Sequence, residues 1–97
     1  MKSFGKVAPL SEVLRGALER RGIDRQIKEH EVLQRWSEIV GEAVAKQAKP
    51  VRLRNGILWL SVADAVWRME LHSMRSELAR KINTASGDQL VSEIRVR

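Results

Sequence analysis

The 97-residue chain contains no cysteine, and this absence excludes disulfide bonds and thiolate metal sites. It is also poor in aromatic residues, with three tryptophans, one phenylalanine and no tyrosine. No segment approaches the roughly 18 consecutive apolar residues of a membrane helix, so the sequence predicts no membrane partner. These absences are typical of a small protein of the reducing cytoplasm, and we expect a cytoplasmic location.

The residue patterns on which catalysis and metal binding depend are also missing. The two histidines, His30 and His72, belong to different helical segments and have no ligand spacing such as H-x-x-x-H. The sequence has no glycine-rich phosphate loop, no nucleophile elbow and no carboxylate pair in a defined frame. We therefore predict a protein that is not an enzyme, with no catalytic residues, no cofactor and no metal site.

Positive charge, in contrast, is in excess. Lysine and arginine total 18 against 12 aspartates and glutamates, which gives a net charge of +6. A basic balance favours an acidic partner, most often nucleic acid, because lysine and arginine contact phosphates and release counterions. Many proteins without such a partner have the same balance, so charge alone leaves both interpretations open.

The N-terminal half of the chain is predicted to be helical. Apolar residues between positions 10 and 18 recur at the spacing of a one-sided helix, which Gly22 is expected to end. A second helix is predicted from the cap Asp24 to Lys49, with a stop or a bend at Gly41. Its predicted buried side consists of Ile27, Leu33, Trp36, Ile39 and Val40.

A β-hairpin is predicted by Asn55-Gly56, because both central positions of a type I′ turn need positive φ. The two-residue turn fixes the register, and side chains alternate between the two faces. The predicted pairs are Arg54 with Ile57, Leu53 with Leu58, Arg52 with Trp59, and Val51 with Leu60. The core face then holds Val51, Leu53, Leu58, Leu60 and Val62, and the outer face holds Arg52, Arg54, Ile57, Trp59 and Ser61.

The C-terminal part is predicted to add one long helix and one strand. The helix begins at the cap Asp64 and ends at Gly87, and its apolar stripe faces the sheet. The stripe consists of Trp67, Leu71, Met74, Leu78 and Ile82. Residues 89–97 alternate again, with Leu90, Ile94 and Val96 on the core side and Val91, Glu93, Arg95 and Arg97 on the outer side.

The order helix-helix-strand-strand-helix-strand predicts an α+β fold. We expect a two-layer sandwich in which the helices cover one face of a three-stranded sheet. Residues 1–97 are predicted to form a single domain with a flexible N-terminus over residues 1–8. The outer face of the sheet is expected to gather the candidate DNA- or partner-binding residues, which are Arg52, Arg54, Trp59, Arg95 and Arg97.

Trp59 is open to three interpretations. Arg52 could lie over its ring as a cross-strand cation–π pair with no further role. Alternatively, the arginines hold phosphates while the ring stacks a base or fills a pocket on a protein partner. A covering element, such as a helix from a second subunit, is the third interpretation.

An ordered set of residues extends through most of the chain. The set begins with W-x-x-I-V-G (Trp36, Ile39, Val40, Gly41) and continues with Ala45, Pro50 and an N-G-x-L-x-L-x-V hairpin (Asn55, Gly56, Leu58, Leu60, Val62). Trp67, Glu70-Leu71, Met74, Ile82-Asn83, Gly87 and Ile94-Arg95 follow in order. This set resembles the DciA family of bacterial replicative helicase loaders, and the resemblance covers the chain from about Leu10 to Arg97.

The resemblance implies a domain similar to KH modules and to the N-terminal domain of the replication initiator DnaA. It also implies that the protein delivers the replicative helicase DnaB onto single-stranded or forked DNA, without ATP hydrolysis of its own. The chain lacks the G-x-x-G loop with which KH domains clamp nucleic acid, so we do not expect binding of the KH kind. A general DNA- or RNA-binding module with a KH-like fold is the alternative. We expect a monomer or a weak homodimer.

Overall fold

The computed structural model of the chain describes the backbone from Phe4 and the side chains from Glu12 onward. Its elements are α1 (Phe4–Gln34), α2 (Trp36–Val40), α3 (Glu42–Gln47), β1 (Lys49–Arg54), β2 (Ile57–Ser61), α4 (Ala65–Ser73), α5 (Arg75–Ser86) and β3 (Glu93–Val96). The predicted α+β class and the order of helical and strand segments are confirmed. The flexible N-terminus expected over residues 1–8 stays a prediction, because residues 1–3 lie outside the described part.

The three strands form one mixed sheet in the order β1-β2-β3. β1 and β2 are antiparallel, and β2 and β3 are parallel. A parallel pair needs a crossover connection, which α4 and α5 supply here. β2 is therefore the central strand, and its side chains have neighbours on both sides.

The core lies between the helices and one face of the sheet. Its fully buried members include Leu58 and Leu60 from β2 and Leu71, Leu78 and Ile82 from the crossover helices. Trp36 is also buried, as predicted, and its indole N–H donates a 2.9 Å hydrogen bond to the Ala48 carbonyl. Trp67 and Met74 are half-buried and pack against this cluster. The predicted stripe of the C-terminal helix is thus the layer that covers the sheet.

The helix boundary predicted at Gly22 is wrong. α1 (Phe4–Gln34) is continuous, so Gly22 does not end a helix and Asp24 does not cap one. A glycine ends a helix by turning to positive φ, and Gly22 is not among the glycines that do so. Inside a helix it costs only about 1 kcal/mol, which the good helix formers around it offset.

The first half of α1 also extends away from the core. Val13, Leu14 and Leu18 are 60%, 59% and 67% exposed, and Ile27, predicted to be buried, is 52% exposed. The molecule is correspondingly elongated, with principal extents of 68 × 20 × 18 Å. The amphipathic spacing of these residues is therefore present without an intramolecular partner.

Breaks at two positions divide the other predicted helices. Gly41, at φ 92°, separates α2 from α3, in agreement with the stop or bend expected there. The helix predicted from Asp64 to Gly87 is divided at Met74 into α4 and α5. Its ends are as predicted, because Asp64 accepts a 3.0 Å hydrogen bond from the Trp67 N–H and Gly87 is left-handed.

The register of the hairpin follows the prediction on the turn side and departs from it at Val51. Arg54–Ile57, Leu53–Leu58 and Arg52–Trp59 pair as predicted, but Leu60 pairs with Pro50 and not with Val51. A β-bulge between Pro50 and Arg52 leaves Val51 as the extra residue, and its side chain is 50% exposed. Val51 is therefore not a core residue.

The last strand is shorter than residues 89–97, because β3 covers only Glu93–Val96. Leu90 and Ile94 are buried as predicted, but Val91, predicted to face outward, is also buried. The Asn83 side chain is hydrogen-bonded to the backbone of Val91. Its Oδ1 accepts from the Val91 N–H at 2.8 Å, and its Nδ2 donates to the Val91 carbonyl at 2.9 Å. These bonds satisfy the backbone of Val91 in place of a strand neighbour.

Candidate nucleic-acid interface

Cationic side chains surround Trp59 on the face of the sheet that the helices leave uncovered. In the middle row, Arg52 of β1 lies opposite Trp59 of β2, which lies opposite Arg95 of β3. The neighbouring row, on the side of the hairpin turn, consists of Arg54, Ile57 and Glu93. Because paired residues share a face, these six side chains lie together on one surface, which we call the outer face.

A third row begins with Lys49, which is predicted from the sequence to be the last residue of the second helix and is instead the first residue of β1. Lys49 pairs with Ser61, and a hydrogen bond from the Arg97 N–H to the Leu60 carbonyl continues the parallel ladder to Arg97. Strict alternation from Leu53 would put Lys49 on the core face. The bulge at Val51 reverses the alternation, so Lys49 lies on the outer face and is exposed.

Pro50 is the signal in the sequence for this missed residue. Proline cannot donate to a strand ladder, so within sheets it is confined to edges, first positions and bulges. A proline directly before Val51 therefore indicates that the alternation should not be extended through it to Lys49. The outer face then carries five cations, which are Lys49, Arg52, Arg54, Arg95 and Arg97.

Two guanidinium groups lie over the Trp59 ring. The Cζ atoms of Arg95 and Arg97 are 5.0 and 4.9 Å from the ring centroid, within cation–π range. Arg52, the stacking partner considered from the sequence, is opposite Trp59 in register, but its guanidinium is not one of the two. The indole is half-buried as a result. It points away from the core, as the hairpin phase predicts.

The hairpin turn holds β3 in place beside Trp59. The Gly56 carbonyl accepts hydrogen bonds from the Ser92 and Glu93 N–H groups at 2.8 and 3.0 Å, and from the Ser92 hydroxyl at 3.1 Å. Asn55 and Gly56 have φ of 53° and 81°, the positive values of the predicted type I′ turn. A side chain at Gly56 would meet Ser92, since an added Cβ lies 2.5 Å from its Oγ.

Glu93 is the acidic exception on the outer face. Its carboxylate forms a salt bridge with the Arg95 guanidinium, and both side chains are about half exposed, at 47% and 48%. An exposed pair of this kind contributes little stability, because water and salt screen it. Among the side chains from Glu12 onward, the salt bridges include none with Lys49, Arg52, Arg54 or Arg97.

A comparison of the chain with models of known protein families gives a match over almost its whole length. The family described as "Dna[CI] antecedent, DciA" matches residues 9–96, which include all three strands and both crossover helices. The chain belongs to the DciA family. The resemblance seen in the sequence is thereby confirmed.

Curated relatives give the same result. A UPF0232 protein of Rhodococcus jostii (strain RHA1) is 35% identical over 88 residues, which is 91% of this chain and 47% of the relative. UPF0232 proteins of Mycolicibacterium paratuberculosis and Mycobacterium tuberculosis are 33% and 31% identical over the same share of the chain. The chain spans about half the length of these relatives.

Elsewhere on this DciA-family chain, a groove with a volume of about 990 Å³ runs between α5 and β3. Arg75 and Arg80 line it together with Asp88 and Glu93, so its charges are mixed. No group of three or more potential metal ligands occurs among the described residues. No described helix combines the length and the apolar character needed to cross a membrane. The outer face, in contrast, carries five cations and one acid.

Proposed function

We propose that this chain is a non-enzymatic adaptor that binds the replicative helicase DnaB and DNA, and assists helicase loading at replication initiation in the bacterial cytoplasm. Membership of the DciA family supports the link to DnaB. One structural observation carries the DNA part of the proposal. The outer face brings five cations together around Trp59, with Glu93 as the one acid in its three rows.

Electrostatics favours DNA as the ligand of this face. Phosphates attract lysine and arginine from a distance, and binding releases the counterions that surround DNA. Arginine in addition matches phosphate oxygens with two parallel N–H donors. Three rows of side chains on a three-stranded sheet offer this chemistry over an extended surface and not at a single point.

The proposal includes no catalytic step. The residues of the outer face are cations, an indole, an isoleucine, a serine and one carboxylate that is already paired with Arg95. Such side chains bind and orient a polyanion. The work of strand separation and its nucleotide hydrolysis then belong to the helicase.

A calorimetric titration with the replicative helicase of the same bacterium tests the proposal. We expect saturable binding of the wild-type chain to the helicase, and separate, strongly salt-dependent binding to single-stranded DNA. The double variant Arg52→Ala/Trp59→Ala should weaken DNA or helicase binding and leave the melting temperature nearly unchanged. A helicase titration without heat or saturation would refute the adaptor function.

A general DNA- or RNA-binding module is the second candidate, because the outer face has no feature that is specific for a helicase. Such a module would bind single-stranded DNA, duplex and RNA to similar extents and would not bind the helicase. Binding to the three nucleic acids across a salt series, beside the helicase titration, separates the two candidates.

A further inference from the structure

The arrangement at Trp59 bears on which part of a nucleic acid the outer face contacts. A base can stack on an aromatic ring only where one side of the ring is open. Here Arg95 and Arg97 both lie over the indole, at 5.0 and 4.9 Å from its centroid. A base that stacked on a ring face covered by one of these guanidiniums would have to displace it, and its cation–π contact would be lost.

The same contacts orient the two guanidiniums toward a ligand. Arginine side chains on an exposed strand are normally mobile, and holding them in place costs conformational entropy. Packing on the indole restricts Arg95 and Arg97 before any ligand arrives. The Trp59 ring therefore acts as a support for two cations, and the cations are the groups that a ligand meets first.

The spacing of the cations suits a chain of phosphates. Arg95 and Arg97 lie two residues apart on β3, which corresponds to about 6.6 Å along the strand. Lys49 and Arg52 form a similar step on β1, two inter-strand distances or about 9.6 Å away. The backbone positions of the cations thus flank the strip of Trp59 and Ser61 on both sides, and the two guanidiniums of β3 reach over the ring. An extended single strand, whose phosphates repeat regularly along one direction, fits this arrangement.

We propose that the outer face binds single-stranded DNA through its backbone phosphates and not through its bases, and that Lys49 is one of the phosphate contacts. Lys49, Arg52, Arg95 and Arg97 hold the phosphates, and Trp59 positions the two arginines of β3. The proposal rests on the proposed function only in taking DNA as the ligand of this face.

An abasic strand provides the direct test. The wild-type chain is titrated with a fluorescently labelled thymidine 15-mer and with an abasic 15-mer that has the same phosphates and no bases. We expect dissociation constants within about threefold of each other. Base stacking would instead weaken binding to the abasic strand by about 5- to 150-fold for each stacked base.

Charge variants test the place of Lys49. Lys49→Gln and Arg97→Gln should each reduce the slope of log affinity against log salt by about 0.7, the value for one lost phosphate contact on a single strand. Lys46→Gln is the matched control, because Lys46 is exposed on α3 and outside the outer face. A Lys49→Gln slope equal to that of the wild type would overturn the assignment of Lys49.

Two further variants test whether Trp59 supports the two arginines or stacks a base. Trp59→Leu keeps an apolar side chain under the arginines, and we expect its affinity for the thymidine strand to fall by no more than about threefold. Glu93→Gln removes the acid that pairs with Arg95 and should raise affinity at low salt, a gain that misfolding does not produce. A large loss in Trp59→Leu on the thymidine strand but not on the abasic strand, with an unchanged melting temperature, would show base stacking.

Failure of this inference is distinguishable from failure of the adaptor function. Binding to the thymidine strand but not to the abasic strand overturns phosphate recognition and leaves DNA binding intact. A chain that binds neither strand overturns the inference, and the helicase titration then decides the adaptor function independently.

Discussion

Asn83 is the residue on which the entry of the chain into β3 depends. Its side-chain amide bonds both the N–H and the C=O of Val91, at 2.8 and 2.9 Å, in a partly buried position. Asn83→Ala leaves both backbone groups without these partners, and an unsatisfied buried polar group costs about 1–3 kcal/mol. We expect Asn83→Ala to lower the free energy of unfolding by that amount in a urea titration.

Thr84→Ala is the matched control for Asn83→Ala, because Thr84 is the next residue of α5 and is exposed. Its substitution should change the free energy of unfolding by no more than about 0.5 kcal/mol. Equal stabilities for the two variants would mean that the amide of Asn83 does not hold Val91.

Two glycines with opposite requirements give a second prediction at the residue scale. Gly22 lies inside α1, where an added Cβ meets nothing within 4 Å, whereas Gly56 has φ +81° and an added Cβ lies 2.5 Å from the Ser92 Oγ. Gly22→Ala should stabilise the helix by up to about 1 kcal/mol and increase the far-ultraviolet helix signal. Gly56→Ala should destabilise the fold by about 1–3 kcal/mol. Thermal unfolding of both variants measures the contrast, and a shift in the same direction for both would contradict it.

Local chemistry decides which residues of the outer face can be predicted from sequence. Asn55-Gly56 fixes the register because the turn is formed by neighbouring residues alone, and the positions of Arg52, Arg54 and Trp59 follow from it. Lys49 could not be placed in the same way, because one extra residue in β1 inverts the alternation beyond it. The two guanidiniums on the indole come from β3, and the pairing of β3 with β2 depends on the whole crossover. Their contact with Trp59 therefore could not be predicted from neighbouring residues.

At the scale of elements, α1 is the feature that sequence periodicity describes least well. Its apolar stripe has the spacing of a buried face, yet Val13, Leu14 and Leu18 are each at least 59% exposed. Periodicity reports which side of a helix is apolar and not whether anything packs against that side. The helix persists past Gly22 because nothing in the following residues imposes a turn.

Substitution on this stripe should have little effect on the stability of the domain. We expect Leu14→Ser and Leu18→Ser to change the free energy of unfolding by no more than about 0.5 kcal/mol, because neither side chain packs in the core. Leu71→Ala is the comparison, since Leu71 is 0% exposed and the substitution should cost about 2–5 kcal/mol. A cost of several kcal/mol for Leu14→Ser, measured in urea on the isolated chain, would show that α1 packs against something.

At the scale of the whole molecule, the helical layer and the candidate binding surface are separate. The helices cover one face of the sheet and the cations lie on the other, so the core residues and the outer-face residues are different sets. Variants of Lys49, Arg52 or Arg97 should therefore change binding without changing the core. This separation makes the outer face testable by substitution.

Long-range polar contacts link α1 to the end of the crossover. Lys28 Nζ lies 3.6 Å from Asp88 Oδ2, and the Arg25 guanidinium donates to the Gln89 carbonyl at 3.3 Å. The hydrogen bond from the Gln89 N–H is the main cause that holds the pKa of the Asp88 carboxyl below its ordinary value, and the charge of Lys28 acts in the same direction. The folded state therefore favours the carboxylate form of Asp88.

The sign of the resulting pH dependence follows from this lowered pKa. The contribution of Asp88 to stability is present above the ordinary carboxyl pKa and is lost as the pH falls through the lower pKa of the folded state. We expect Asp88→Asn to be less stable than the wild type at pH 5, and the difference between their urea midpoints to narrow at pH 2.5. Lys28→Gln removes only the charge of Lys28, which is the smaller cause of the lowered Asp88 pKa. The urea midpoint of Lys28→Gln at pH 5 should therefore differ from that of the wild type by less than the midpoint of Asp88→Asn does. Midpoints that differ by the same amount at both pH values would show that Asp88 is not held as a carboxylate by the fold.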